Sequence, residues 1–221
     1  MTDFDRRRSA GGASQIDHRR AQDRLDQSRM YRDRPGDYSK KEWMDKNGSH
    51  VSETIKTRDS SSETTQKKTV DGSMDKRGAS HGKTTDSITT ERKDGSVYAK
   101  ESETQTMRNR DGSGQQKSTV WEGEVRKDGS AWSSKTVTDT KVNRDGSSTS
   151  RKTEEKTNSN KDGSSTESKT VTDSKTNKDG DSNYKITDTY TQKNSEGKVV
   201  DHKREERTGS ADKYGLTNHE K

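Results

Sequence analysis

The Asp-Gly-Ser triplets are the residues of this chain whose type and spacing could do chemistry. Five of them begin at Asp94, Asp111, Asp128, Asp145 and Asp162, and these five are spaced 17 residues apart. Carboxylate oxygens suit Ca²⁺, but a calcium site needs several carboxylates that converge on one loop. Here a Lys or Arg precedes the Asp instead. The triplets therefore predict turns and no metal site.

Other reactive side chains lack the arrangement that catalysis requires. The histidines are scattered without ligand spacing, at His18, His50, His81, His202 and His219. The chain has no cysteine, so it offers neither a disulfide framework nor a thiolate metal site. Each repeated Gly lies in an isolated turn with no helix after it, unlike a phosphate-binding loop. We expect a protein with no catalytic residues, cofactor or metal.

The glycines of the same turns define the architecture. They recur every 17 residues without an insertion, at Gly78, Gly95, Gly112, Gly129, Gly146, Gly163, Gly180 and Gly197. A fixed period of this kind marks a chain built from one repeated unit. With each Gly as position 1, positions 8, 10 and 12 favour Thr, as at Thr136, Thr138 and Thr140. This alternation of a β-branched residue predicts one strand of about 12–13 residues per unit.

Two kinds of turn fit the Asp-Gly signal, and they give different registers. A two-residue type I′ turn would set Val125 opposite both Tyr98 and Trp132, whereas a three-residue turn with a Gly bulge would set Glu124 opposite Trp132 and Trp121 opposite Lys135. Aromatic and β-branched cross-strand pairs are favourable. The sequence therefore predicts the two-residue turn and one row of Tyr98, Val125 and Trp132.

The predicted fold is all-β, a single-layer antiparallel β-meander of seven to nine strands with a Thr-lined face and a charged face. A parallel β-solenoid is one alternative, although the many Lys, Arg and Glu residues leave little to fill its interior. A largely disordered chain is the other alternative. Only 17% of the residues are hydrophobic, against roughly 45–50% apolar residues in typical domains.

The sequence divides into four segments. Residues 1–45 form an Arg- and Asp-rich arm, helical over 14–32 or disordered. Residues 46–77 are expected to be degenerate β-repeats, 78–213 the regular array, and 214–221 a flexible tail. Turn signals off the regular spacing lie at Asn47-Gly48-Ser49, Arg58-Asp59-Ser60 and Asp71-Gly72-Ser73.

Charge and hydropathy restrict the expected location and partners. The net charge is +6 from 45 basic and 39 acidic residues, which are interspersed. This balance suggests a modest attraction to polyanions, while the few aromatic and many acidic residues argue against nucleic acid as a partner. The sequence shows neither a secretory signal nor an apolar run of the roughly 20 residues that span a bilayer. We expect a cytoplasmic protein without a membrane partner.

The leading functional hypothesis is a non-catalytic structural or scaffolding protein. A long regular sheet suits a filamentous partner or an acidic surface, and its unpaired edge strands could also pair with another copy. Aromatic residues dominate contact hot spots. The candidate partner-binding residues are Tyr98, Trp121, Val125 and Trp132.

Two other functions stay open at the level of sequence. Very low hydropathy, plentiful Gly and absence of Cys resemble the hydrophilins, disordered protectants made during water stress. The resemblance is compositional, covers the whole chain and implies a protein without a fixed fold. The runs Thr136-Val137-Thr138 and Thr170-Val171-Thr172 resemble the regular Thr arrays of some antifreeze proteins, which implies ice binding.

Overall fold

The chain forms one antiparallel sheet. The computed structural model describes residues 38–213 and the backbone of residues 217–220. Twelve strands lie in this part of the chain in sequence order, and each pairs with the next. The single-layer β-meander is confirmed, and a parallel solenoid is excluded because neighbouring strands are antiparallel. The strands are β1 (Tyr38–Asp45), β2 (Gly48–Arg58), β3 (Ser62–Met74), β4 (Ser80–Arg92), β5 (Val97–Arg108), β6 (Gly114–Val125), β7 (Ala131–Val142), β8 (Ser148–Ser159), β9 (Ser165–Thr176), β10 (Ser182–Lys193), β11 (Val199–Ala211) and β12 (Thr217–Glu220).

The repeated turn is the three-residue form, so the predicted two-residue turn is wrong. Between β6 and β7, Gly129 N donates to Arg126 O at 2.9 Å and Arg126 N donates to Ser130 O at 2.8 Å. Gly129 has φ of +84°, and no described residue other than glycine has positive φ. A type I′ turn would need positive φ at Asp128 as well. The geometry is that of a type I turn followed by a Gly bulge.

This turn changes the register by one residue and with it the face on which each side chain lies. Glu124 is opposite both Tyr98 and Trp132, while Val125 is opposite Val97 and Ala131. The predicted row of Tyr98, Val125 and Trp132 does not form. Since directly paired residues share a face, Tyr98 and Trp132 define one face, the Tyr98 face. Trp121 and Val125 lie on the other, the Trp121 face.

The register also removes the predicted Thr-lined face. An odd repeat of 17 residues and a three-residue turn move each repeat position to the opposite face in successive strands. Thr138 of β7 is therefore paired with Lys152 of β8 and Ser118 of β6. On both faces, strands that carry mainly Thr and Ser alternate with strands that carry mainly charged residues. Two stripes of the same kind are therefore two strands apart, which is about 10 Å.

The sheet has no conventional core. Among the described residues, Ala79 is the only buried apolar side chain, and Glu53, Ser96 and Ser130 are buried polar ones. Its stability therefore rests on backbone hydrogen bonds and cross-strand pairs. Thr64 and Thr90 are joined at 3.0 Å between their Oγ1 atoms. Such pairs contribute roughly 0.2–1 kcal/mol each.

Ion pairs link neighbouring strands in the same way. Lys83 Nζ lies 2.9 Å from Glu103 Oε2, and Lys169 Nζ lies 2.8 Å from Glu155 Oε1. Both pairs join adjacent strands of the array, β4 with β5 and β8 with β9. The charged stripes are therefore part of what holds the strands in register.

The structure refines the predicted segments. Residues 38–45 of the expected arm form β1, and residues 217–220 of the expected tail form β12. The predicted helix over 14–32 lies outside the described residues. Turns occur at Asn47 and at Asp59, as predicted, but Asp71-Gly72-Ser73 lies inside β3. There the chain stays extended because Gly72 pairs with both Ser49 and Gly82, and the turn follows at Asp75–Ala79.

Candidate functional site

The four proposed contact residues lie near one another but on two faces. Tyr98 in β5 and Trp132 in β7 stand on the Tyr98 face, on either side of Glu124. Trp121 and Val125 belong to β6 and lie on the Trp121 face. The middle strands therefore carry two aromatic surfaces back to back, in place of the one surface that the sequence predicted.

On the Tyr98 face the two rings contact each other across β6. Their centroids are 6.4 Å apart and their planes are tilted by 43°. Trp132 Nε1 donates to Glu124 Oε2 at 3.2 Å, and Tyr98 Oη donates to Glu122 Oε2 at 3.4 Å. Both polar groups of the rings are thus satisfied within the sheet, which fixes the ring orientations.

Glu124 is the centre of a charged network on that face. Arg92 Nη1 donates to its Oε1 at 2.7 Å, and Arg126 Nε lies 3.4 Å from its Oε2. The Arg92 hydrogen bond, followed by that of the Trp132 indole, holds the pKa of Glu124 below its usual value. The carboxylate therefore stays ionised and ties β4 to β7 across two intervening strands.

The Trp121 face carries a contiguous exposed apolar patch. Val97, Val125 and Ala131 form one row across β5, β6 and β7, and Ala99, Gly123 and Ser133 form the next. Trp121 is the middle residue of the third row, between Glu101 and Lys135. Its exposed fraction is 39%, and those of Val97 and Val125 are 38% and 54%. We call Val97, Ala99, Trp121, Gly123, Val125 and Ala131 the Trp121 patch.

Gly123 lets the indole of Trp121 lie against the sheet. A Cβ at Gly123 would be 3.3 Å from Trp121 Cζ2 and 2.8 Å from Trp132 O. A side chain at this position would therefore meet both the indole and the backbone of β7. Gly123 stands where most repeats have Thr, and that departure is the sequence signal for this feature.

Sequence reasoning missed a polar cluster near the first edge strand. The rings of Trp43 and His50 are stacked, with centroids 5.0 Å apart. His50 Nδ1 lies 2.7 Å from Asp71 Oδ1, and His50 Nε2 lies 3.3 Å from Asp45 Oδ1. The pKa of His50 is raised, mainly by the hydrogen bond with Asp71. Only the strand pairing brings these residues of β1, β2 and β3 together.

Each repeated Asp-Gly-Ser turn has a hydrogen-bonded Asp and a basic residue before it, and both side chains are exposed. Asp128 Oδ1 accepts hydrogen bonds from Ser130 N at 3.0 Å and Ser130 Oγ at 2.7 Å. These bonds lower the pKa of Asp128. The turns at Asp94, Asp111, Asp145 and Asp162 repeat this arrangement. The basic residue before each Asp is exposed.

The described residues contain no group of three or more His, Cys, Asp or Glu side chains arranged to hold a metal ion. Nor does any helix in residues 38–213 and 217–220 have the length and apolar character to cross a membrane. Comparison of the chain with protein-family models, with curated proteins and with solved structures found no match.

Proposed function

We propose that this chain is a non-catalytic structural scaffold that lies along an acidic filament and contacts it through the basic residues of its turns. Successive turns lie at opposite ends of the strands. They therefore form two rows, and we call the two sides of the sheet where these rows lie its edges. Lys93, Lys127 and Lys161 lie in turns on one edge, the Lys127 edge. Arg110, Arg144 and Lys178 lie in turns on the other, the Arg144 edge.

The regular spacing of these cations carries the proposal. Successive turns on one edge are two strands apart, or about 10 Å. The six side chains are exposed, and no residue of the described part of the chain forms an ion pair with them. In five of the six turns the neighbouring Asp is hydrogen-bonded by the serine of its own turn but stays exposed and charged. Such an Asp can also attract the basic residue of the next turn on that edge, as Asp94 does Lys127 and Asp128 does Lys161. Each edge therefore offers evenly spaced cations to a lattice of negative charge.

Binding to an acidic filament tests this proposal. We expect the full chain to sediment with polymerised actin or polymerised tubulin at low ionic strength. The complex should weaken as salt is added, because the Debye length shrinks from about 10 Å at 0.1 M to about 3 Å at 1 M. Absence of sedimentation with both filaments, or a complex insensitive to salt, would contradict the proposal.

Matched variants distinguish the edges from net charge. Replacing Lys93, Lys127 and Lys161 with Gln should weaken binding about tenfold, since exposed ion pairs contribute roughly 0.2–1 kcal/mol each. The control replaces Lys56, Lys156 and Lys175 with Gln. These side chains are also exposed, but they lie within strands. Equal weakening by the two sets would show that overall charge, not the turns, governs binding.

A further inference from the structure

We propose that two copies of this chain pair face to face through the Trp121 patch, with a two-fold axis that runs along β6. The inference is independent of the proposed filament contact, because it uses a face of the sheet and not its edges. It rests on the patch and on two charged residues that flank Trp121.

The first observation is that the apolar residues of the patch are contiguous across three neighbouring strands, whereas other exposed apolar side chains, such as Trp43, Met74 and Val200, lie elsewhere in the sheet. The three rows of the patch occupy the central strands β5, β6 and β7. Val125 is 54% exposed and Trp121 is 39% exposed. An exposed apolar cluster rimmed by charged residues is typical of a protein contact surface.

The second observation identifies the occupant. Glu101 and Lys135 are the direct cross-strand neighbours of Trp121, one on each side. Both are exposed, and neither forms an ion pair with another described residue. Lys135 also attracts Glu155, its cross-strand neighbour in β8. The row Glu101, Trp121, Lys135 thus carries a negative charge, an aromatic ring and a positive charge. Such a row is complementary to its own reversed copy.

A two-fold axis along β6 produces that reversal. It places β5 of one copy over β7 of the other, so Glu101 faces the second copy's Lys135 while the two Trp121 rings meet. An axis perpendicular to the strands would place Glu101 over Glu101, and like charges repel. The charges beside Trp121 therefore favour the axis along β6, which also sets Lys83 over Arg151 of the second copy at the border of the contact. Lys117 of β6 would approach its counterpart, but Asp139 pairs directly beside it.

The available area suits a stable dimer. Two packed sheets lie about 10 Å apart with their strands inclined by about 30°. Five strands, β4–β8, at about 4.8 Å spacing and about 40 Å length present a face of roughly 900 Å². A standard interface buries about 800 Å² per partner. Face-to-face contact over the central strands therefore reaches the necessary size.

Charge reversal tests the pairing. The full chain should have twice its monomer mass of 24.8 kDa in sedimentation equilibrium. Glu101→Lys and Lys135→Glu should each be monomeric, because each sets like charges against each other at both symmetric contacts. An equimolar mixture of the two variants should recover the doubled mass, since the mixed dimer restores both opposite-charge pairs.

Controls keep the result interpretable. Lys156→Glu changes an exposed, unpaired charge on the opposite face and should leave the dimer unchanged. Far-UV circular dichroism should show the same β content in all variants. Recovery of the doubled mass on mixing also excludes a folding defect as the reason why each single variant is monomeric, because misfolded chains would not pair. A monomeric parent chain, dimeric single variants or a mixture that stays monomeric would each overturn the proposal.

Discussion

Asp128 accepts two hydrogen bonds from one residue, Ser130, whose N and Oγ lie 3.0 Å and 2.7 Å from the same Oδ1 atom. This contact explains why the Asp-Gly-Ser triplet forms a three-residue turn. The Asp side chain caps the bulge from outside the ladder, while Gly129 alone takes the left-handed conformation. This three-residue turn therefore determines which face of the sheet every following residue occupies.

The left-handed glycine should be the most sensitive residue of each turn. Gly129→Ala is expected to lower the free energy of unfolding by about 1–2 kcal/mol, because a Cβ is unfavourable in that conformation. An added Cβ would meet no atom within 4 Å, so the cost is that of the backbone alone. Urea denaturation followed by circular dichroism measures it. Gly129→Asn, which tolerates positive φ, should cost less; equal midpoints for the parent chain and Gly129→Ala would contradict this assignment.

Acid should destabilise the sheet through the turn carboxylates. The serine hydrogen bonds lower the pKa of Asp128 from the ordinary 3.8, and those of Ser61 and Ser62 lower the pKa of Asp59 to about 2. A lowered pKa in the folded chain adds stability above the unfolded pKa and loses it as pH falls through the folded pKa. The contribution of these carboxylates to the melting temperature should therefore be constant from pH 7 to about 5 and be lost between about pH 4 and 2.

The turn serines provide a direct check of this acid effect. Replacing Ser113, Ser130 and Ser147 with Ala removes hydroxyl donors to Asp111, Asp128 and Asp145. The variant should lose less melting temperature between pH 4 and 2 than the parent chain does. An undiminished acid transition would mean that other carboxylates are responsible.

His50 should make the attachment of the first strands depend on pH in the opposite sense. Its pKa is raised, mainly by the hydrogen bond with Asp71 and further by Asp45. A raised folded pKa gives stability that is complete below the unfolded value of 6.5 and is lost as pH rises through the folded value. Amide exchange in β1 and β2, corrected for the intrinsic pH dependence of exchange, should accelerate from pH 6 to pH 8. His50→Gln should abolish that extra dependence, and His202→Gln should leave it unchanged.

Glu124 should hold the Tyr98 face together. Glu124→Gln removes the charge that pairs with Arg92 and Arg126 and weakens the acceptor of the Trp132 indole. We expect a lower urea midpoint and greater acrylamide quenching of tryptophan fluorescence. Glu154→Gln is the matched control on the same face, since the one ion pair that Glu154 forms within residues 38–213 is with Lys152 of its own strand. Equal effects of the two changes would contradict a central role for Glu124.

Much of the fold could be predicted because its signals are local. A Gly every 17 residues and Thr at alternate positions are enough to indicate strands, turns and a meander. The register was predicted wrongly because it was decided on pairs such as Val125 with Trp132. Such pairs contribute roughly 0.2–1 kcal/mol each, whereas the turn fixes the register directly through the φ of Gly129 and the hydrogen bonds of Asp128. One residue of register then divided the four predicted contact residues between two faces.

The sequence by itself determined the repeat, the strand length and the aromatic residues of the middle strands, because each depends on neighbours within one unit. Only the tertiary structure decided which side chains share a face. The face on which a side chain lies depends on the hydrogen bonds across each turn, and the register of one strand pair fixes the faces in the next. It brings Tyr98 to Trp132, places Glu101 and Lys135 beside Trp121, and joins His50 to two carboxylates from separate strands.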